Sequence, residues 1–211
     1  MPATTLLLAT RSLGKLWELK PLFAAAGIPV VDLDEAGVAE QPEEESLERH
    51  FTFEENALAK ARYFHARSGL PTVADDSGLE VAALGGAPGV HTKRYCGRND
   101  LSGRALDAAN NAKLLSELAG VVDRRAHYVC VAAYIDGPHE RVFRGTSDGK
   151  ILESPRGSGG FGYDPLFQSA DLGRTFAEIE REEKEQVSHR GRAFAALVRA
   201  LTGEAHTAGS R

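Results

Sequence analysis

Thr5-Leu6-Leu7-Leu8-Ala9-Thr10-Arg11-Ser12-Leu13-Gly14-Lys15 is the stretch on which the fold turns. Thr5 to Ala9 carries no charge and has the length of a short buried strand. It is too short for a signal-peptide core or a membrane span. Thr10 to Gly14 then breaks the run as a turn. From Lys15 onward Leu16, Leu19, Leu22 and Phe23 recur at helical spacing. Gly27 followed by Pro29 stops that helix, and Ile28 to Leu33 returns to a strand. Strand, turn, helix, strand is the opening of an α/β fold.

Outward from there, the acidic stretch Asp34 to His50 reads as a surface loop. Thr52 with Glu55 forms a capping box that opens a helix to about Arg67, closed by Gly69. Thr72–Asp75 and Leu79–Leu84 are predicted as two short strands flanking a tight turn at Ser77-Gly78. Ala105 to Leu118 is predicted helical. His127–Ile135 and Arg141–Thr146 are predicted to pair as a hairpin through Asp136-Gly137-Pro138. A second capping-box pattern, Thr175 with Glu178, predicts another helix. The last helix starts near Ser188 and carries Phe194, Leu197, Val198 and Leu201. Residues 204–211 are expected to form a disordered tail. An antiparallel hairpin after the alternating start implies a mixed β-sheet with flanking helices.

The chain has 211 residues, 42% hydrophobic and 26% charged, enough apolar material for a sizeable core. Its formal net charge is −5, and no basic block interrupts that balance. Polymeric nucleic acid is therefore not expected as a partner, because phosphate contacts dominate that affinity. A small anion needs only a few local cations, so free nucleotides remain. Cys96 and Cys130 lie far apart with no CxxC pair, which suggests neither a disulfide framework nor a zinc knuckle. A reducing cytoplasm is the expected compartment, with no membrane partner.

The densest chemistry lies in Ala74-Asp75-Asp76-Ser77-Gly78. Two carboxylates brought together at a strand end call for a neutralising cation, and an all-oxygen donor set suits magnesium better than zinc. The plainer alternative is an Asp-Ser-Gly turn whose side chains bond their own backbone. Asn56 and Lys60 share a helix face, from which a lysine can reach a phosphate. Ser12-Leu13-Gly14-Lys15 sits between strand and helix, where amides and the helix dipole favour an anion, although it is not a Walker loop. The loop Gly157-Ser158-Gly159-Gly160-Phe161-Gly162, followed by Tyr163-Asp164-Pro165, allows close backbone approach and offers an aromatic face. His189 and Arg190 open the last helix as candidate donors to an oxo group. Each of these signals by itself also fits an ordinary surface loop or a solvated side chain.

Taken in order, these segments resemble the inosine triphosphate pyrophosphatase family, the Ham1-like non-standard purine NTP pyrophosphatases. The resemblance rests on Leu8-Ala9-Thr10 with Gly14-Lys15, Phe51 through Ala57 with Lys60-Ala61-Arg62, and Ala74 through Glu80. It continues through Gly85 to Val90, Arg94-Tyr95, Gly159 to Pro165, Glu182-Glu183-Lys184 and Ser188-His189-Arg190-Gly191. It implies an elongated mixed sheet in two lobes around a central substrate cleft, with residues 1–203 as one pyrophosphatase domain, and a homodimer. It implies Asp76 as the general base, with Glu48, Asp76 and Asp75 at a magnesium site. Glu43, Glu44 and Glu45 are alternative acids near Glu48. Thr10, Arg11, Ser12, Leu13, Gly14 and Lys15 would contact the substrate, as would Asn56 and Ser77. Lys15, Lys60 and Lys184 would surround the triphosphate. Phe161, Gly162, Tyr163 and Asp164 would line the nucleoside pocket, and His189 and Arg190 would read the purine's oxo edge. The implied activity is magnesium-dependent hydrolysis of ITP, dITP and XTP to the monophosphate and pyrophosphate. The chain departs from the family at Ser12, where asparagine is usual, at Glu48-Arg49-His50-Phe51, and at His91-Thr92-Lys93. Two other readings are a Maf-like pyrophosphatase of modified pyrimidine nucleotides, which the His189-Arg190 pair argues against, and a catalytically weak nucleotide-binding regulator, which Asp75, Asp76, Lys60 and Lys184 argue against.

Overall fold

A computed structural model describes residues 5–208, with side chains described for residues 5–203. Six strands form one open sheet: β1 (Leu6–Leu8), β2 (Val30–Asp32), β3 (Thr72–Val81), β4 (Arg125–Asp136), β5 (His139–Ile151) and β6 (Phe167–Ser169). Their order is β2-β1-β3-β4-β5-β6. β1 runs parallel to β2 and to β3, whereas β5 and β6 are antiparallel, so the sheet is mixed as expected. The helices are α1 (Leu13–Ala25), α2 (Phe53–Ser68), α3 (Gly103–Glu117), α4 (Arg181–Val187) and α5 (His189–Ala208). Among the described residues no helix is long and apolar enough to cross a membrane.

The chain divides into two compact units. The first takes residues up to Asp76, Cys130–Gly145 and residues from Arg192 onward; the second takes Ser77–Val129 and Thr146–Gly191. In the first unit, Leu6 and Leu8 pack with Leu19, Leu22 and Phe23 of α1 and with Ala193, Phe194 and Leu197 of α5. Phe23 and Phe194 meet edge to face at 5.9 Å, so Phe194→Ala would cost about 3–5 kcal/mol. Leu7, on the other face of β1, is also fully buried, as a strand covered on both sides should be. On α2 the Thr52 hydroxyl accepts the Glu55 N–H, and Gly69 closes the helix at φ +69°.

In the second unit, Leu114 of α3 and its C-cap Leu118 join Leu79, Val81, Tyr128, Phe167 and Phe176 in a separate core. Tyr128 stacks on Phe176 and meets Phe167 edge-on. Ser188 adopts an extended backbone between α4 and α5, and its hydroxyl accepts the Gly191 N–H at 3.0 Å. A Cβ at Gly191 would lie 1.7 Å from the Glu185 carbonyl oxygen, so this sharp junction requires glycine.

Two local expectations fail. No turn occurs at Ser77-Gly78: β3 passes straight through both residues beyond its short pairing with β1, with the long strand β4 as its other neighbour, and sheet formation overrides local turn preference. No helix starts at Thr175. Glu178 does reach back to the Thr175 N–H at 2.8 Å, but the Thr175 hydroxyl is spent on the Arg156 carbonyl and Thr175 bridges to Gln168. The last helix is described through Ala208, and positions 209–211 of the expected tail lie outside the described residues.

Candidate active site

In the first unit the site is built on the first half of β3 and the buried face of α2. Because β3 is one continuous strand, Asp75 and Asp76 project to opposite faces. They are therefore not the converging pair that a turn at Ser77 would have made. Asp75 is buried, with its side chain 1% exposed. Its carboxylate accepts Lys15 Nζ at 3.0 Å and lies 3.7 Å from the Cys130 thiol. Its backbone carbonyl accepts both Lys15 and Lys60. Asp75 thus holds the two ammonium groups, while Glu48 and Asp76 are the expected metal acids that face Lys60.

Asp76 faces α2. Asn56 Nδ2 donates to Asp76 Oδ2 at 2.9 Å, and Asn56 Oδ1 accepts the His50 N–H at 2.9 Å. Lys60 Nζ lies 2.6 Å from Glu48 Oε1 and 3.9 Å from Asp76 Oδ1. The helical spacing of Asn56 and Lys60 therefore places both on the carboxylates, and both are buried rather than solvated. Burial pushes the Asp76 pKa up; the ammonium groups of Lys60 and Lys15 pull against it, Glu48 adds to the rise, and the net direction is upward. Burial alone would lower the Lys60 pKa, but Glu48, Asp76 and Asp75 together outweigh it and hold the ammonium charged.

Among the described residues no three acids, cysteines or histidines form a ready metal cage. Glu48 and Asp76 do flank one cationic centre with hard oxygens. Such a donor set fits magnesium, which is commonly held by one or two carboxylates plus substrate phosphates.

The turn between β1 and α1 plays more than one part. Ser12 caps α1, its Oγ accepting the Lys15 N–H at 3.4 Å, and Thr10 Oγ1 accepts the Ser12 N–H. Arg11 turns to Glu44, at 3.1 and 2.9 Å, and to Asp34 and the Val38 carbonyl. Glu44 is thereby committed to Arg11 and to the Gln41 N–H. Leu13 is exposed and Gly14 half-buried in the first turn of the helix.

In the second unit Arg190 and His189 are buried, not on the surface. Arg190 donates to Ser77 Oγ at 2.8 Å and sits 5.8 Å from the Phe161 ring. His189 stacks on Tyr128 at 4.5 Å with the rings 8° from parallel. Lys184 Nζ bonds Asp164 Oδ2 at 2.6 Å and lies 4.9 Å from the Phe161 ring. That carboxylate also accepts the Phe161 N–H at 3.0 Å. Gly160 makes room for it: φ is +68°, and a Cβ there would lie 2.1 Å from Asp164 Oδ2. Lys184, expected at the triphosphate, thus pairs with a residue of the expected nucleoside pocket. Tyr163 is buried, with its hydroxyl donating to the Thr92 carbonyl at 2.9 Å, so it supports the loop by packing. Cys130, Tyr128, Thr92, Asp107 and Asn111 also touch these groups. Sequence reading did not single out these contacts, because they cross between elements distant in the chain.

The first unit thus holds lysine-flanked acids, and the second holds basic donors backed by aromatic rings. The sequence model of the Ham1 family matches residues 6–200, and the chain belongs to that family. It is 49% identical over 199 residues to a dITP/XTP pyrophosphatase of Ralstonia nicotianae, covering 93% of this chain and 96% of that protein. Among solved structures, a HAM1 protein from Coxiella burnetii superposes with a TM-score of 0.81 at 38% identity, covering 95% of this chain and 99% of that one. The Staphylococcus aureus Ham1 protein gives 0.80 at 37% identity, with the same coverages.

Proposed function

We propose that the protein is a nucleoside triphosphate pyrophosphatase of deaminated purine nucleotides. It converts ITP, dITP and XTP to the monophosphate and pyrophosphate, and so cleanses the nucleotide pool. The observation that carries this reading is Asp76, a buried carboxylate of raised pKa, oriented by Asn56 and set beside the Lys60 ammonium. Names of close relatives support the substrate class.

In the proposed reaction Asp76 takes a proton from the water that attacks the α-phosphorus, and the bond to the β-phosphate oxygen breaks. Lys15 and Lys60 stabilise the negative charge gathered on the departing pyrophosphate. Magnesium, when bound through Glu48 and Asp76 with substrate phosphates, supplies further charge neutralisation there. Arg190 and His189 offer N–H donors to the C6 oxo group of hypoxanthine or xanthine. Adenine presents an amine at that position, which sets donor against donor. Phe161 gives the base an aromatic face. A homodimer in the cytoplasm, with residues 1–203 as the catalytic domain, completes the proposal.

The deciding experiment is pyrophosphate release from ITP in magnesium, with and without EDTA, beside a panel of ATP and modified pyrimidine nucleotides. ITP is expected to be hydrolysed in preference to ATP, and EDTA to abolish turnover. Preference for the pyrimidines would transfer the protein to the Maf-like reading.

A further inference from the structure

Helix α3 carries two polar residues that the reaction above leaves unused. Asp107 and Asn111 stand one helical turn apart and so share a face. Both reach the same residue of the glycine-rich loop. Asp107 Oδ2 accepts the Gly162 N–H at 2.9 Å, and Asn111 Nδ2 donates to the Gly162 carbonyl at 3.0 Å. Gly162 follows Phe161 directly and holds φ +62°. A turn in that left-handed conformation needs outside partners for its backbone groups, and these two side chains supply them.

The mount is firm. Leu114 and Leu118 anchor α3 and its C-terminal cap in the second unit's core. Asn110 ties the helix to the Lys93 carbonyl and the Cys96 N–H. On its other flank Phe161 is fixed through its own N–H to Asp164, whose carboxylate Lys184 holds. The Phe161 backbone is therefore secured on both sides by groups whose positions are themselves set by packing.

We propose that Asp107 and Asn111 are positioning residues for purine recognition: they clamp Gly162 and so present the Phe161 ring in a fixed place. The proposal rests on the reading of Phe161–Asp164 as the nucleoside pocket. Neither residue touches a reacting atom, so losing the clamp raises the ordering cost of binding and leaves turnover at saturation intact.

Asp107→Ala and Asn111→Ala should each raise KM for ITP about three- to tenfold, with kcat within about twofold of the parent. Asp107→Asn retains an oxygen acceptor and should restore most of the parent's KM. Hydrogen exchange of the Gly162 amide in nucleotide-free enzyme reads the clamp directly: faster in Asp107→Ala, parent-like in Asp107→Asn. If Asp107→Ala does not fold, Asn111→Ala, which removes a single amide donor, carries the kinetic test. Parental KM in both alanine variants, where Phe161→Ala raises KM, overturns the positioning role alone. Parental KM in Phe161→Ala removes the nucleoside-pocket reading, and the proposal falls with it.

Discussion

The two clusters differ in the chemistry of the groups they bring together. In the first unit the ammonium groups of Lys15 and Lys60 face three carboxylates, those of Glu48, Asp75 and Asp76. In the second, Lys184 bonds the Asp164 carboxylate, Lys184 and Arg190 lie beside the Phe161 ring, and His189 stacks on Tyr128. The first set joins acids to ammonium groups; the second joins N–H donors to aromatic faces. On the proposed reading, the first meets a magnesium triphosphate and the second a purine oxo group. Chemistry and recognition then fail separately when residues are changed.

The largest separation is expected at Asp76. Asp76→Asn keeps the hydrogen-bonding shape but removes the proton acceptor, so kcat should fall by about 10²-fold or more while ITP still binds. Near-parental hydrolysis would remove Asp76 from the role of base. The same variant should melt higher than the parent at neutral pH in EDTA. A carboxylate whose folded pKa is raised favours the folded state below its unfolded pKa, and that advantage is lost as pH rises through the folded value. For the parent, stability should therefore decline with rising pH across that window, and activity should rise across it as the base ionises. A melting curve without this difference between parent and variant would show that Asp76 is not under the strain of burial.

Next in size is Lys60→Met. It leaves Glu48 and the Asp75 carbonyl without their shared ammonium, a loss expected to cost about 3 kcal/mol of stability as well as most activity. Chemical denaturation measures it, and a cost near that of an exposed pair would mean water already screens the cluster. Arg190→Ala should act on the other cluster, lowering the ITP:ATP ratio of kcat/KM by about tenfold while triphosphate binding changes less. An unchanged ratio would place base reading elsewhere. The smallest effect is expected for Ser12→Ala. Ser12 accepts the Lys15 N–H as a helix cap, so about 1 kcal/mol of stability should be lost with ITP kinetics within about twofold. A kinetic loss without a melting shift would make Ser12 a substrate contact.

Much of the fold was legible because it is written in local patterns. The β1–α1–β2 opening, the Thr52 cap and the Gly69 stop each depend on residues within a few positions of one another. The same kind of pattern failed at Thr175-Glu178 and at Ser77-Gly78. There the partners that decide the backbone, Arg156 and Gln168 in one case and strand β4 in the other, lie far away in the chain. Candidate site residues were legible as types and spacings, such as Asn56 and Lys60 on one helical face, but not as pairs.

By itself, then, the sequence determined the α/β opening, the mixed sheet, the family and the roster of acids, lysines and donors. Periodicity and motif order are local properties that survive without coordinates. Tertiary structure alone decided that Asp75 turns to Lys15 and Cys130 while Asp76 turns to Asn56 and Lys60. The physical reason is the continuity of β3: a strand sends neighbouring side chains to opposite faces, and only pairing with distant strands kept that strand from turning at Ser77. The same holds for Asp107 and Asn111, whose spacing along α3 was visible in the chain but whose common target, the backbone of Gly162, was not.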